Sequence, residues 1–127
     1  MGPTGGRKNA IVDSEFNARD RVREILPREL ARLKEYPLFV DVREESEFLY
    51  GHIEGARNVS PSVLGQVVPE ISPDHARPIV VYCARGTTSA VAAKLLQKLG
   101  YQNVYSLKDG LFGWLEAGGV LQTCKRR

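Results

Sequence analysis

The chain has 127 residues, 43% of them hydrophobic and 26% charged, with a net charge of +3. That is enough for one core and is the ordinary balance of a globular domain, with charge too evenly spread to indicate a nucleic-acid surface. No apolar run reaches membrane-spanning length, the N-terminus lacks a signal-peptide core, and the two cysteines, Cys83 and Cys124, form neither a CxxC pair nor a zinc-ligand spacing. A disulfide framework, a membrane partner and a metal site are therefore not expected, and the reducing cytoplasm is the default compartment.

Residues 1–9 are Gly-rich without apolar pattern and read as disordered or as an addition made for expression. Residues 10–124 read as a single domain, and 125–127 as a basic tail. Asp13 to Arg23 is charged with sparse apolar residues and reads as a surface helix. Arg23 to Leu26 follows as a short edge strand. Pro27 suits the first turn of a helix running to about Tyr36, with Leu30, Leu33 and Ala31 toward the core. Leu38 to Val42 is a strong strand. Glu44 to Tyr50 reads as a short helix anchored by Phe48 and Leu49, and Gly51 to Ala56 as a turn. Arg57 to Val59 is a brief strand. Ser60-Pro61-Ser62 opens a helix that ends at Pro69.

Ile79 to Tyr82 is a continuous apolar run, as in a strand buried on both faces of a parallel sheet. Apolar residues at 91, 92, 95, 96 and 99 then follow helical spacing, closed by Gly100 at a C-cap position. Asn103 to Leu107 is the last strand. Leu111 to Ala117 makes a short helix carrying Phe112 and Trp114 into the core, Trp114 with an edge on the pocket. Strands alternating with helices predict an α/β fold: a mostly parallel five-stranded sheet with helices on both faces.

The chemistry centres on the segment after Tyr82. Cys83 stands at the carboxyl end of a buried strand, and a loop from Cys83 to Thr88, with Gly86 in it, leads into a helix. Free N–H groups at a helix start, with the helix dipole, make an anion cradle that lowers a thiol's pKa. Backbone N–H groups from Ala84 to Ser89 are the expected donors. Gly86 supplies unusual torsions, Arg85 a positive charge at the mouth, and Thr87 and Thr88 hydroxyls for an oxyanion. The alternative for Cys83 is a small buried hydrophobe. Cys124 lies in a polar tail and reads as a spectator.

The ordered motifs of this chain resemble the single-domain rhodanese family of thiosulfate sulfurtransferases. Asp41-Val42-Arg43-Glu44 is similar to the family's first motif. Gly51-His52-Ile53-Glu54-Gly55-Ala56 is similar to its Gly-His-Ile-x-Gly-Ala motif, and Val80-Val81-Tyr82-Cys83 with its loop is similar to the active-site strand and loop. Gly110 to Trp114 resembles the closing motif, with Asp109 where the first glycine is usual. The likeness covers about residues 22 to 120.

The resemblance implies a rhodanese-like fold and a persulfide relay on Cys83, with a small anionic sulfur donor such as thiosulfate, a thiol or protein acceptor, and no cofactor or metal. Asp41, Arg43 and Arg57 are expected to brace the loops by ion pairs and hydrogen bonds rather than touch substrate, since buried charges are normally paired. His52, in a glycine turn, is expected to make a structural hydrogen bond rather than act as a base. A phosphatase of the Cys-x5-Arg type would need arginine where Ser89 stands. A sulfur-carrier or partner-binding module is the rival of a different class.

Overall fold

A computed structural model describes residues 22–123. The expected Asp13–Arg23 helix, apart from its last two residues, the disordered start, Cys124 and the basic tail lie outside them. In chain order the elements are β1 (Arg23–Ile25), a 3-10 turn (Pro27–Arg32), β2 (Leu38–Asp41), α1 (Glu45–Tyr50), β3 (Arg57–Asn58) and a 3-10 turn (Pro61–Val63). Then come α2 (Leu64–Ile71), β4 (Ile79–Tyr82), α3 (Thr87–Lys98), β5 (Val104–Leu107) and α4 (Gly110–Glu116). The five strands form one parallel sheet in the order β1-β5-β4-β2-β3, so β4 is the central strand.

Strand periodicity sorts the apolar residues into two cores. Leu38, Val40, Ile79, Val81 and Val104 face α2 and α3, and meet Leu64, Val68, Ala92, Ala93 and Leu96. Phe39, Val80, Tyr82, Ile25 and Leu107 face the other way, onto Leu111, Ile53, Phe48 and Trp114. Both faces of β2 and β4 are thus covered, which is why Leu38 to Val40 and Ile79 to Tyr82 read as unbroken apolar runs.

Several elements depart from expectation for identifiable reasons. The Pro27 segment is 3-10, and its three residues per turn align Pro27, Leu30 and Leu33, which leaves Ala31 exposed. In α1 only Phe48 turns inward, and Leu49 is exposed. α2 runs through Pro69 to Ile71: so close to the helix end, the proline forfeits only the ladder bond to Gly65. α3 begins at Thr87, and its buried stripe is Ser89, Ala92, Ala93 and Leu96, while Val91, Leu95 and Leu99 face solvent. The two alanines let the helix approach the sheet closely. Its end is as expected. Gly100 is left-handed at φ 103°, with its N–H on Gln97 and the Tyr101 N–H on Leu96.

Candidate active site

Cys83 follows the last residue of β4, at the carboxyl edge of the sheet. Its loop is shorter than expected. Gly86, at φ 100°, is already the N-cap of α3, so Thr87, Thr88 and Ser89 lie in the first turn. A left-handed torsion there is open to glycine and turns the chain into the helix within three residues of the sulfur.

The result is a cradle of donors on Sγ. The Gly86 N–H donates at 3.1 Å and the Ser89 N–H at 3.3 Å, while Ser89 Oγ lies 3.5 Å away. Burial pushes the Cys83 thiol up. The Ser89 hydroxyl and the N–H groups of Ser89, Gly86 and Arg85 outweigh it, and the net shift is downward from 9.0. Behind the sulfur, Ser89 Oγ is 2.8 Å from Ser106 Oγ on β5, and both serines are buried.

The loop carbonyls are held the other way. The Leu111 N–H donates to the Cys83 carbonyl at 2.8 Å and the Phe112 N–H to the Ala84 carbonyl at 3.1 Å. This contact is so close that a Cβ on Gly110 would sit 2.5 Å from the Cys83 oxygen. Asp109, where the first glycine of the closing motif is usual, adopts φ 60° and still permits that turn.

Cys83 opens onto a cleft of about 460 Å³ lined by Arg43, Glu44, Glu47, Arg85, Thr87 and Thr88 among others. Arg85 is exposed, with its guanidinium stacked 4.4 Å over the Phe112 ring. Phe112 is therefore half-exposed at the mouth and not in the core as expected. Trp114 packs on the opposite face beside Phe39 and borders a different cavity.

Asp41 and Arg43 form one buried pair. Arg43 Nη2 donates to Asp41 Oδ2 at 2.8 Å and Nε to Oδ1 at 3.1 Å, and Nη2 also reaches the Gly51 carbonyl at 2.6 Å. This clamps the end of α1 to β2. His52 is structural in its contacts. It exchanges backbone hydrogen bonds with Gln122, sets Nδ1 2.8 Å from the Phe48 carbonyl oxygen, stacks on the Phe48 ring, and does not line the cleft.

Arg57 corrects the expectation of a brace. It is exposed on the edge strand, and its side chain makes no hydrogen bond or ion pair among the described residues. Asn58, one position on, takes the role by donating from Nδ2 to the Asp41 and Arg43 carbonyls, both at 3.0 Å. A strand's side chains alternate faces, so the one-residue difference decides which of the two reaches inward.

A cysteine shifted toward thiolate, held at the end of the central strand of a parallel sheet by converging N–H groups, marks an α/β protein with a thiolate-favouring cradle at the carboxyl edge of its sheet. The chain belongs to the rhodanese-like domain family, whose model matches residues 26–117. A thiosulfate sulfurtransferase GlpE of Shewanella oneidensis is 40% identical over 78 residues, which are 61% of this chain and 75% of that protein. The uncharacterized protein YqhL of Bacillus subtilis is 42% identical over 86 residues, 68% of this chain, and the match spans 64% of YqhL's length. Among solved structures, a thiosulfate sulfurtransferase from Pseudomonas aeruginosa superposes with a TM-score of 0.71 at 34% identity, covering 80% of this chain and 20% of that one. A rhodanese-related protein from Thermoplasma volcanium gives 0.68 at 29% identity, covering 79% and 97%. The protein is thus of the sulfurtransferase family. Among the described residues no helix is long and apolar enough to cross a membrane.

Proposed function

We propose that this protein moves a sulfane sulfur from thiosulfate, or a donor like it, to a thiophilic acceptor such as cyanide or a thiol through a persulfide on Cys83. The Cys83 thiolate attacks the outer sulfur of thiosulfate. The S–S bond of the donor breaks, sulfite leaves with the bonding pair, and Cys83–S–S⁻ remains. Cyanide then attacks the outer sulfur, thiocyanate departs, and the Cys83 thiolate is regenerated. The donors from Gly86 and Ser89 onto Sγ carry this reading. They hold the nucleophile ionised in the first step and stabilise the same sulfur as leaving group in the second. Arg85, without an ion-pair partner among the described residues, supplies attraction for the dianion.

Two observations weigh against phosphate chemistry. The position six beyond Cys83 is Ser89, and it is buried against the sulfur rather than reaching into the cleft. The test is thiocyanate formation from thiosulfate and cyanide, beside Cys83→Ser and with p-nitrophenyl phosphate as control. Thiocyanate lost in the variant, with no phosphatase activity, is expected, and Arg85→Ala should raise the KM for thiosulfate most at low salt. No thiocyanate from the wild type refutes the reading and favours a sulfur carrier, to be sought as a persulfide mass on Cys83 when a partner is supplied.

A further inference from the structure

Two serines from distant parts of the chain form a hydroxyl line behind the nucleophile: Cys83 Sγ, Ser89 Oγ at 3.5 Å, and Ser106 Oγ 2.8 Å beyond. Both serines are buried, Ser89 at 0% and Ser106 at 1% exposure, so bulk water does not settle their hydrogens. The Ser106 hydroxyl has one side-chain partner among the described residues, Ser89 Oγ. Ser106 stands on β5 in register with Val81, on the sheet face that α3 covers.

The direction of the line follows from counting hydrogens. If Ser106 donates to Ser89 Oγ, the Ser89 hydrogen points at Sγ, and both hydroxyl hydrogens find acceptors. If Ser89 donates to Ser106 instead, the Ser106 hydrogen is left in the core without an acceptor, and Sγ loses a donor. Buried polar hydrogens are almost always paired, so the first direction prevails. A thiolate completes it, because a charged sulfur is the better acceptor. A neutral thiol would instead donate to Ser89 Oγ across the same 3.5 Å, and one hydroxyl hydrogen of the serine pair would then be left without an acceptor.

We infer that Ser106, which touches neither cleft nor sulfur, is a positioning residue that fixes the Ser89 hydroxyl as a donor to Cys83 Sγ. Without it, Ser89 Oγ loses the hydrogen bond it accepts, the contact that holds its rotamer and polarises its own O–H toward Sγ. The charged groups around the sulfur are Arg85 on its loop, the Arg43–Asp41 pair and the Glu44 and Glu47 carboxylates from the β2–α1 side. No variant below alters any of them, so a change at Ser106 is read against constant charge. The inference takes Cys83 to be the nucleophile of the proposed reaction, but its test does not require turnover.

The experiment measures the rate of Cys83 alkylation by iodoacetamide against pH in the full chain carrying Cys124→Ser, so that one thiol reports. Ser106→Ala should raise the apparent Cys83 pKa by roughly half a unit, about a threefold loss of thiolate in the acid limb. Ser106→Thr, which keeps the hydroxyl, should restore it, and Ser106→Val, of the same shape without it, should not. Where Ser106→Ala fails to fold, the Thr and Val pair decides the matter alone. An unchanged profile in Ser106→Ala, or equal profiles in Thr and Val, overturns the inference. If the wild type makes no thiocyanate, sulfur transfer falls as a function while the alkylation profiles still decide the role of Ser106.

Discussion

Replacing Arg43 by methionine should strongly destabilise this protein, although Arg43 lies at the edge of a cleft. The Asp41 side chain is 0% exposed and that of Arg43 10%. The guanidinium makes contacts of 2.8, 3.1 and 3.2 Å to the carboxylate, and only the Arg43 backbone N–H, at 2.9 Å, would remain of what Arg43 gives it. Stripping the partner from a buried carboxylate costs about 3–5 kcal/mol, a large share of a total stability of about 5–15 kcal/mol. For a domain of this size that is a fall in Tm of roughly 10–20 °C. Urea unfolding followed by the fluorescence of Trp114, the only tryptophan, measures it. The paired variant Asp41→Asn/Arg43→Met removes the stranded charge and should recover at least about 1 kcal/mol relative to Arg43→Met. A loss below about 1 kcal/mol in Arg43→Met, the value of an exposed pair, would refute the argument, as would a double variant weaker than the single one.

Two further outcomes follow from the cradle. The folded-state pKa of Cys83 lies below its ordinary 9.0, so the thiolate adds stability that is full above 9.0 and is lost as pH falls through the folded value. The stability difference between wild type and Cys83→Ala should therefore grow as pH rises across that window, and a difference independent of pH in urea midpoints would contradict it. Gly110→Ala places a Cβ 2.5 Å from the Cys83 oxygen and 2.6 Å from the Ala84 carbonyl, at φ 60°. It should cost about 2 kcal/mol or more and displace the loop, with loss of Cys83 reactivity toward iodoacetamide. A variant with normal reactivity would show that α4 does not set the loop.

The sheet is legible in the sequence because β2 and β4 are covered on both sides, so Leu38 to Val40 and Ile79 to Tyr82 show apolar runs whatever their neighbours. The position of Cys83 was legible for the same reason, since a strand that ends in polar loop residues marks its own edge. The start of α3 was not. Its N-cap is Gly86, whose cap is a torsion and not a side chain, so no Ser, Thr or Asp marked the boundary. The apolar set 91, 92, 95, 96 and 99 reads as one buried face; Ala92 and Leu96 are buried as read, but Val91, Leu95 and Leu99 are exposed, and Ser89 and Ala93 complete the buried stripe. Ser106 was hidden because a serine in a strand announces nothing by itself. Its signal is a small polar residue at an inward register position, which can be read only once β5 is aligned with β4. Phe112 reads as core by its hydrophobicity alone, though its neighbour in space is the Arg85 guanidinium.

The Leu111 and Phe112 amides that hold the Cys83 and Ala84 carbonyls bear on whether the Cys83 segment can be transplanted. Residues 83–89 look like a portable cassette, a cysteine with its own ring of donors. Yet α4 holds the Cys83 and Ala84 carbonyls on the side away from the sulfur, and in the Ala84–Arg85 peptide this turns the Arg85 N–H toward it. Grafted alone onto another parallel sheet, the cassette would carry its oxygens unclaimed, free to swing toward the thiolate and repel it. Any recipient scaffold has to bring two backbone amides to the place that α4 occupies here, so the unit of exchange is the segment and α4 together, two stretches of sequence that move as one part.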